Sequence, residues 1–133
     1  MVFFTSDLHL GHENILRLCD RPFGDVEEMD NAIIRNWNQK VKKRDTVYIL
    51  GDVVWDKRRV APLMESLAGK KILIMGNHDT PWAKKEAIRP LFEEVVPYLE
   101  IRLEGFPVTL CHYPMLEWKG SSEDPPHRIG FHI

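Results

Sequence analysis

The chain has only two cysteines, Cys19 and Cys111, and neither belongs to a Cys-x-x-Cys pair. That argues against a disulfide scaffold or a thiolate metal site and for a reduced, cytoplasmic setting. No apolar run approaches the ~18 residues of a membrane span. The first residues, Met1-Val2-Phe3-Phe4-Thr5, carry no basic stretch and soon meet Asp7, so they read as a strand and not as a signal peptide. Net charge is only −2, which supplies no global field for nucleic acid or an anionic membrane. A nucleotide substrate stays open, because bound metal provides positive charge locally. The basic cluster Lys40, Lys42, Lys43 and Arg44 lacks interleaved aromatics. It reads as a helix end that complements the helix dipole rather than a stacking surface for nucleic acid. There is no internal repeat, low-complexity tract or linker.

What remains is an ordinary globular composition, 44% hydrophobic and 29% charged over 133 residues, enough for a single domain over 1–133 with a core of its own. Short apolar runs at Val2–Thr5, 46–50, 71–75, 99–103 and 106–110 read as strands. Between them, 13–19, 56–67 and 81–92 read as helices, with Pro62 in the first turn of the second. A longer helix follows Asp25, with Glu28 at capping-box spacing and Val26, Met29, Ile33, Trp37 and Val41 on its buried face. Glu104-Gly105 is a hairpin turn. Strands alternating with helices predict an α/β sandwich, helices outside sheets.

Polar clusters close four of these runs: Asp7-Leu8-His9, Gly51-Asp52, Gly76-Asn77-His78-Asp79 and Cys111-His112. In α/β sheets the carboxyl ends of strands form the ligand crevice, so four distant pieces can converge. Their three carboxylates, one carboxamide and three imidazoles suit Mn, Fe, Zn or Ni, with Mn the first choice. Asp7 and His9, one residue apart, would point the same way in an extended segment and share one ion. Asp52 could bridge two ions, with Asn77 and His112 on the second. Such a pair can activate water and neutralise phosphate oxygens. His78 could protonate a leaving oxygen, Asp79 could orient His78, and Asn77 and His12 could touch substrate. Cys111 should point away from His112 and pack in the core.

In these residues the chain resembles the calcineurin-like metallophosphoesterase superfamily, whose pattern runs D-x-H, G-D, G-N-H-D, H and G-H-x-H. It is most similar to small bacterial and phage-type members with Asp-Leu-His-Leu-Gly-His near the start (residues 7–12) and His-Tyr-Pro-Met near the end (112–115). The resemblance implies two mixed β-sheets flanked by helices and two divalent ions. It implies Asp7, His9 and Asp52 on one ion, Asp52, Asn77 and His112 on the other, and His78 as acid. The last motif is missing: the chain stops at Gly130-Phe131-His132-Ile133. The expectation is therefore a member cut before its C-terminal strands, with weakened metal binding and an exposed sheet edge available for self-association. His127 or His132 could substitute as ligand, though an exposed role is favoured.

The expected activity is metal-dependent hydrolysis of a phosphomonoester or phosphodiester, on a small phosphorylated or nucleotide substrate. The competing expectation is a catalytically impaired metal-binding domain used as an interaction or regulatory module. Arg17 and Arg21 read as solvated surface before phosphate ligands. Trp55 and Trp118 read as core or rim packing before a base-stacking pocket. His12 could equally face substrate or cap the next helix.

Overall fold

Runs followed by polar turns become parallel strands. In the computed structural model, which describes residues 1–117, β1 (Val2–Thr5), β2 (Thr46–Ile49), β3 (Lys70–Ile74) and β4 (Glu94–Val96) pair in that order, all parallel. A separate antiparallel sheet is the hairpin β5 (Tyr98–Leu103) and β6 (Phe106–Cys111). Leu103 pairs with Phe106, so Glu104 and Gly105 form the turn, at φ 50° and 85°. Both central residues are left-handed, the geometry that matches the twist of the flanking strands.

Side chains alternate along a strand, and the parallel sheet is apolar on both faces. Phe3, Val47, Ile49 and Leu73 pack with Trp37, Val41, Leu63, Met64 and Leu67 on the helical side. Phe4, Tyr48, Leu50, Ile72 and Ile74 pack against Leu99, Ile101, Val108 and Leu110 of the hairpin. The expected α/β sandwich is present. Among the described residues its parallel and antiparallel strands are segregated, one kind to each sheet.

The helices are α1 (Ile15–Leu18), α2 (Val26–Lys40) and α3 (Val60–Ser66). Asp25 caps α2, its side chain accepting the Glu28 amide at 2.8 Å. Met29, Trp37 and Val41 are buried as the spacing predicts, Val26 and Ile33 half-buried. Asp30 and Ala32 are buried beside them. At the other end Lys42 Nζ donates to the Gln39 carbonyl at 3.0 Å, in keeping with the dipole reading. α3 starts later than expected, because Asp56 Oδ1 takes the Arg58 amide at 3.0 Å and holds a turn. Pro62 falls within its first turn.

Two differences have local causes. The segment 81–92 is not a helix but a series of turns ending in a 3-10 turn, Arg89–Leu91. Pro90 has no amide to continue a helical ladder. Trp82, Ala83, Ile88 and Phe92 are inserted into the core instead. β4 is invisible to a periodicity argument: it has three residues, opens on Glu94 and is closed by Pro97. No helix among the described residues is long and apolar enough to cross a membrane.

Candidate metal centre

The loops after β1, β2, β3 and β6 meet beyond the strand ends. Asp7, Asp52 and His112 each offer a ligand atom, all within 4.8 Å of one another. His9 Nε2 lies 3.8 Å from Asp7 Oδ1 and 3.8 Å from Asp52 Oδ2. His112 Nε2 is 3.6 Å from the same Asp52 oxygen, and His78 Nδ1 is 2.9 Å from it. Asp52 is thus the point where all four loops meet. Two carboxylates and two imidazoles at this spacing fit a divalent ion of borderline character.

Asp7 and His9 reach each other, but not through the extended backbone expected. Asp7, His9 and Asp52 all have φ near +50° (52°, 53° and 53°). Left-handed backbone costs about 1–2 kcal/mol per non-glycine residue and concentrates at functional sites. The surroundings hold it in place. The Asp7 amide donates to the Gly51 carbonyl at 3.0 Å, His9 to Asp52 at 3.0 Å and Leu10 to Val53 at 2.9 Å. Arg21 donates to the carbonyls of Leu8 (2.7 Å) and Asp7 (2.9 Å). Its role is therefore to brace the ligand loop, neither solvated surface nor phosphate ligand. No sequence signal marks it.

Hydrogen bonds set the imidazole tautomers. His112 Nδ1 is 2.7 Å from the Leu50 carbonyl, which can only accept. The proton is therefore on Nδ1, and the Nε2 lone pair faces Asp52. His9 Nδ1 meets His12 Nδ1 at 3.3 Å. If His9 offers Nε2 as a ligand atom, its Nδ1 donates and His12 accepts. Burial lowers the pKa of both imidazoles, with the charge of His78 also acting on His12, so both are neutral near pH 7. Burial pushes the Asp52 carboxyl up, but the side-chain and backbone bonds from His78 and the nearby His112 outweigh it, and its pKa lies below the ordinary value.

Asp79 has a different task from the one expected. Among the described residues its oxygens go not to His78 but to backbone. Oδ2 accepts the Asp52 amide at 2.7 Å and the Gly76 amide at 2.8 Å, and Oδ1 accepts the Val53 amide at 3.1 Å. It is fully buried, out of reach of a substrate, and ties the β2 and β3 loops together. Burial raises its pKa against these three bonds.

Asp30, also fully buried, accepts the Gly11 amide with Oδ1 at 3.0 Å and Arg59 Nη1 with Oδ2 at 3.1 Å. Sequence reasoning missed it, although an acid beside Met29 on the apolar stripe of α2 was the available signal.

Asn77 is exposed, its Nδ2 3.4 Å from His78 Nε2. His12 does not cap α1, whose N-cap is Asn14 with no side-chain bond. Its ring is buried under Trp55 instead. Cys111 is half-buried and Cys19 exposed, both free thiols. Trp118, His127 and His132 lie outside the described residues.

The loops approach closely enough to require glycine. A Cβ on Gly51, at φ 84°, would sit 2.7 Å from the Gly76 nitrogen and overlap the His112 ring. Gly11, at φ 75°, has only ordinary contacts at 3.4 Å and beyond. Gly51→Ala is therefore expected to cost about 2 kcal/mol or more, with Gly11→Ala limited to the backbone strain of about 1–2 kcal/mol. Urea unfolding of the two variants checks the order.

The sequence profile of the calcineurin-like phosphoesterase family matches residues 1–125. The gene 66 protein of Mycobacterium phage L5 is 41% identical over 84% of this chain and 62% of its own length. An uncharacterized protein of Methanocaldococcus jannaschii is 43% identical over 59% of this chain and 46% of its own. The chain thus spans less than two-thirds of these curated relatives. A crystal structure of a protein of unknown function from Aquifex aeolicus superimposes with a TM-score of 0.72 at 32% identity, covering 94% of this chain and 67% of that one. With so much of its length under one family profile, the chain belongs to the calcineurin-like phosphoesterases.

Proposed function

We propose that this chain is a metal-dependent phosphohydrolase that cleaves a small phosphomonoester or phosphodiester with water. The observation that carries this reading is the convergence of Asp7, His9, His78 and His112 on the Asp52 carboxylate. We assign two divalent ions, Mn²⁺ first, to this donor set: Asp7, His9 and Asp52 would hold one, Asp52, His112 and Asn77 the other. When bound, such ions supply Lewis-acid charge to phosphate oxygens and make water a better nucleophile.

The chain's own residues do the rest. Asp52 anchors His78 through Nδ1, which leaves Nε2 as the atom that carries a proton to the leaving oxygen. That side chain is 36% exposed, as a group that touches substrate must be. The Asn77 Nδ2 beside Nε2 is itself a donor, so once Nε2 carries the proton that amide is free to turn to a phosphate oxygen. An accessible imidazole tethered to a ligand carboxylate favours an enzyme over a module that only binds.

Hydrolysis of bis-p-nitrophenyl phosphate, with Mn²⁺ and with a chelator control, tests the reading. Turnover that the chelator abolishes is expected. His78→Ala is expected to lower kcat at saturating metal about 10²–10⁴-fold, the usual contribution of a positioned acid, while metal affinity falls by no more than the about 10- to 100-fold that loss of an outer partner of Asp52 costs. Metal-bound protein with no turnover on either phosphate class would return the chain to a binding role.

A further inference from the structure

We propose that the cleft between residues 11–14 and 55–58 binds the nucleobase of a nucleotide substrate whose phosphate lies at the Asp7–Asp52–His112 centre. The inference rests on the phosphohydrolase reading and adds the substrate class to it.

The cleft has a volume of about 480 Å³, and its walls include His12, Asn14, Trp55, Asp56 and Arg58. Pockets of this size are typical of small-ligand sites. Trp55 is 47% exposed, whereas Trp37 and Trp82 are 9% and 1% exposed. Its indole lies flat on the buried His12 ring, centroids 3.9 Å apart and planes 7° from parallel. It also touches His78, with centroids 4.8 Å apart. His12 in turn meets His9. The exposed indole therefore touches the proposed acid directly and reaches a metal-ligand candidate through the buried His12 ring.

Charge points to a neutral planar group rather than a second phosphate. Arg58 is committed to Asp56 by two 3.0 Å bonds, Nε to Oδ1 and Nη2 to Oδ2. The other charged groups lining the cleft are one cation, Lys57, and one anion, Glu13. Two charges of each sign leave no net field for an anion. Asn14, with one amide donor group and one carbonyl acceptor, and the Glu13 carboxylate offer partners to a base edge. With one face covered by His12, the indole has its other face for stacking, a contact that tolerates any base.

The test compares adenosine 5′-monophosphate with ribose 5-phosphate, in which an anomeric hydroxyl stands in place of the base, using calorimetry on the Zn²⁺-loaded chain. The nucleotide is expected to bind about tenfold tighter, the scale of one base–aromatic stack. Trp55→Ala is expected to reduce that preference below about twofold with ribose 5-phosphate affinity unchanged, and Trp55→Phe to keep most of it. Adenosine alone is expected to shift the Trp55 indole N–H resonance even in metal-free protein.

Equal binding of the two phosphates, or a preference that survives Trp55→Ala, overturns the inference. If bis-p-nitrophenyl phosphate is still hydrolysed in that case, the nucleobase site fails and the phosphohydrolase reading stands. If neither ligand binds and no hydrolysis occurs, both fail.

Discussion

An Asp79→Ala variant is expected to unfold at a much lower urea concentration than the parent and to bind metal more weakly. The side chain is fully buried and accepts three backbone amides, from Asp52, Val53 and Gly76. Removing it leaves three buried donors without a partner, at about 1–3 kcal/mol for each such group. Release of a desolvated carboxylate offsets part of this, since burial already raises its pKa. A net loss of about 3–4 kcal/mol follows. Asp79→Asn should lose less. Its carbonyl can stay on the Asp52 and Gly76 amides, and only the Val53 amide then faces a donor. Metal affinity should fall as well, by about 10- to 100-fold, because one of the three amides belongs to Asp52 itself. Equal stability of the alanine variant and the parent would refute the clamp.

The parts of this fold that were legible in the sequence are those governed by short-range pattern. β1, β2 and β3 lie within a residue of the apolar runs that predict them, and Asp25 and Glu28 mark the start of α2. The four polar clusters that meet at Asp52 were legible as clusters because each one follows such a run. The failures are long-range. Asp79 reads as a partner for its neighbour His78, yet its bonds run to a loop 27 residues away. Arg21 grips carbonyls 13 and 14 residues earlier in the chain, and no local pattern encodes that reach. The segment 81–92 has helical composition, but buried Trp82 and Phe92 and the constraint at Pro90 decide its path. Tertiary packing overrides propensity there.

Asp52→Asn is expected to separate the site from the scaffold. The asparagine oxygen can still accept the His78 amide, which lies 3.1 Å from Asp52 Oδ1. Its NH₂ group then replaces Oδ2, next to the His112 and His9 Nε2 atoms at 3.6 and 3.8 Å. The His112 Nε2 carries a lone pair, because Nδ1 donates to Leu50. A donor from the new amide is compatible with that lone pair, and His78, whose Nδ1 lies 2.9 Å from the replaced oxygen, keeps a bond by carrying its proton on Nε2 so that Nδ1 accepts; the metal-free variant should therefore unfold close to the parent. Metal binding is another matter. The substitution removes the one anion shared by all four loops and turns a donor toward the ion. Loss of an outer partner alone costs about 10- to 100-fold in metal affinity, so a loss beyond about 100-fold is expected here, with turnover at background. Calorimetric titration with Zn²⁺ or Mn²⁺ beside urea unfolding reads both quantities. Together with Asp79→Ala, this assigns two hydrogen-bonded aspartates to different work, since one should lose stability and metal and the other metal alone. A variant that kept its affinity would show that Asp52 is not where the loops share their ion.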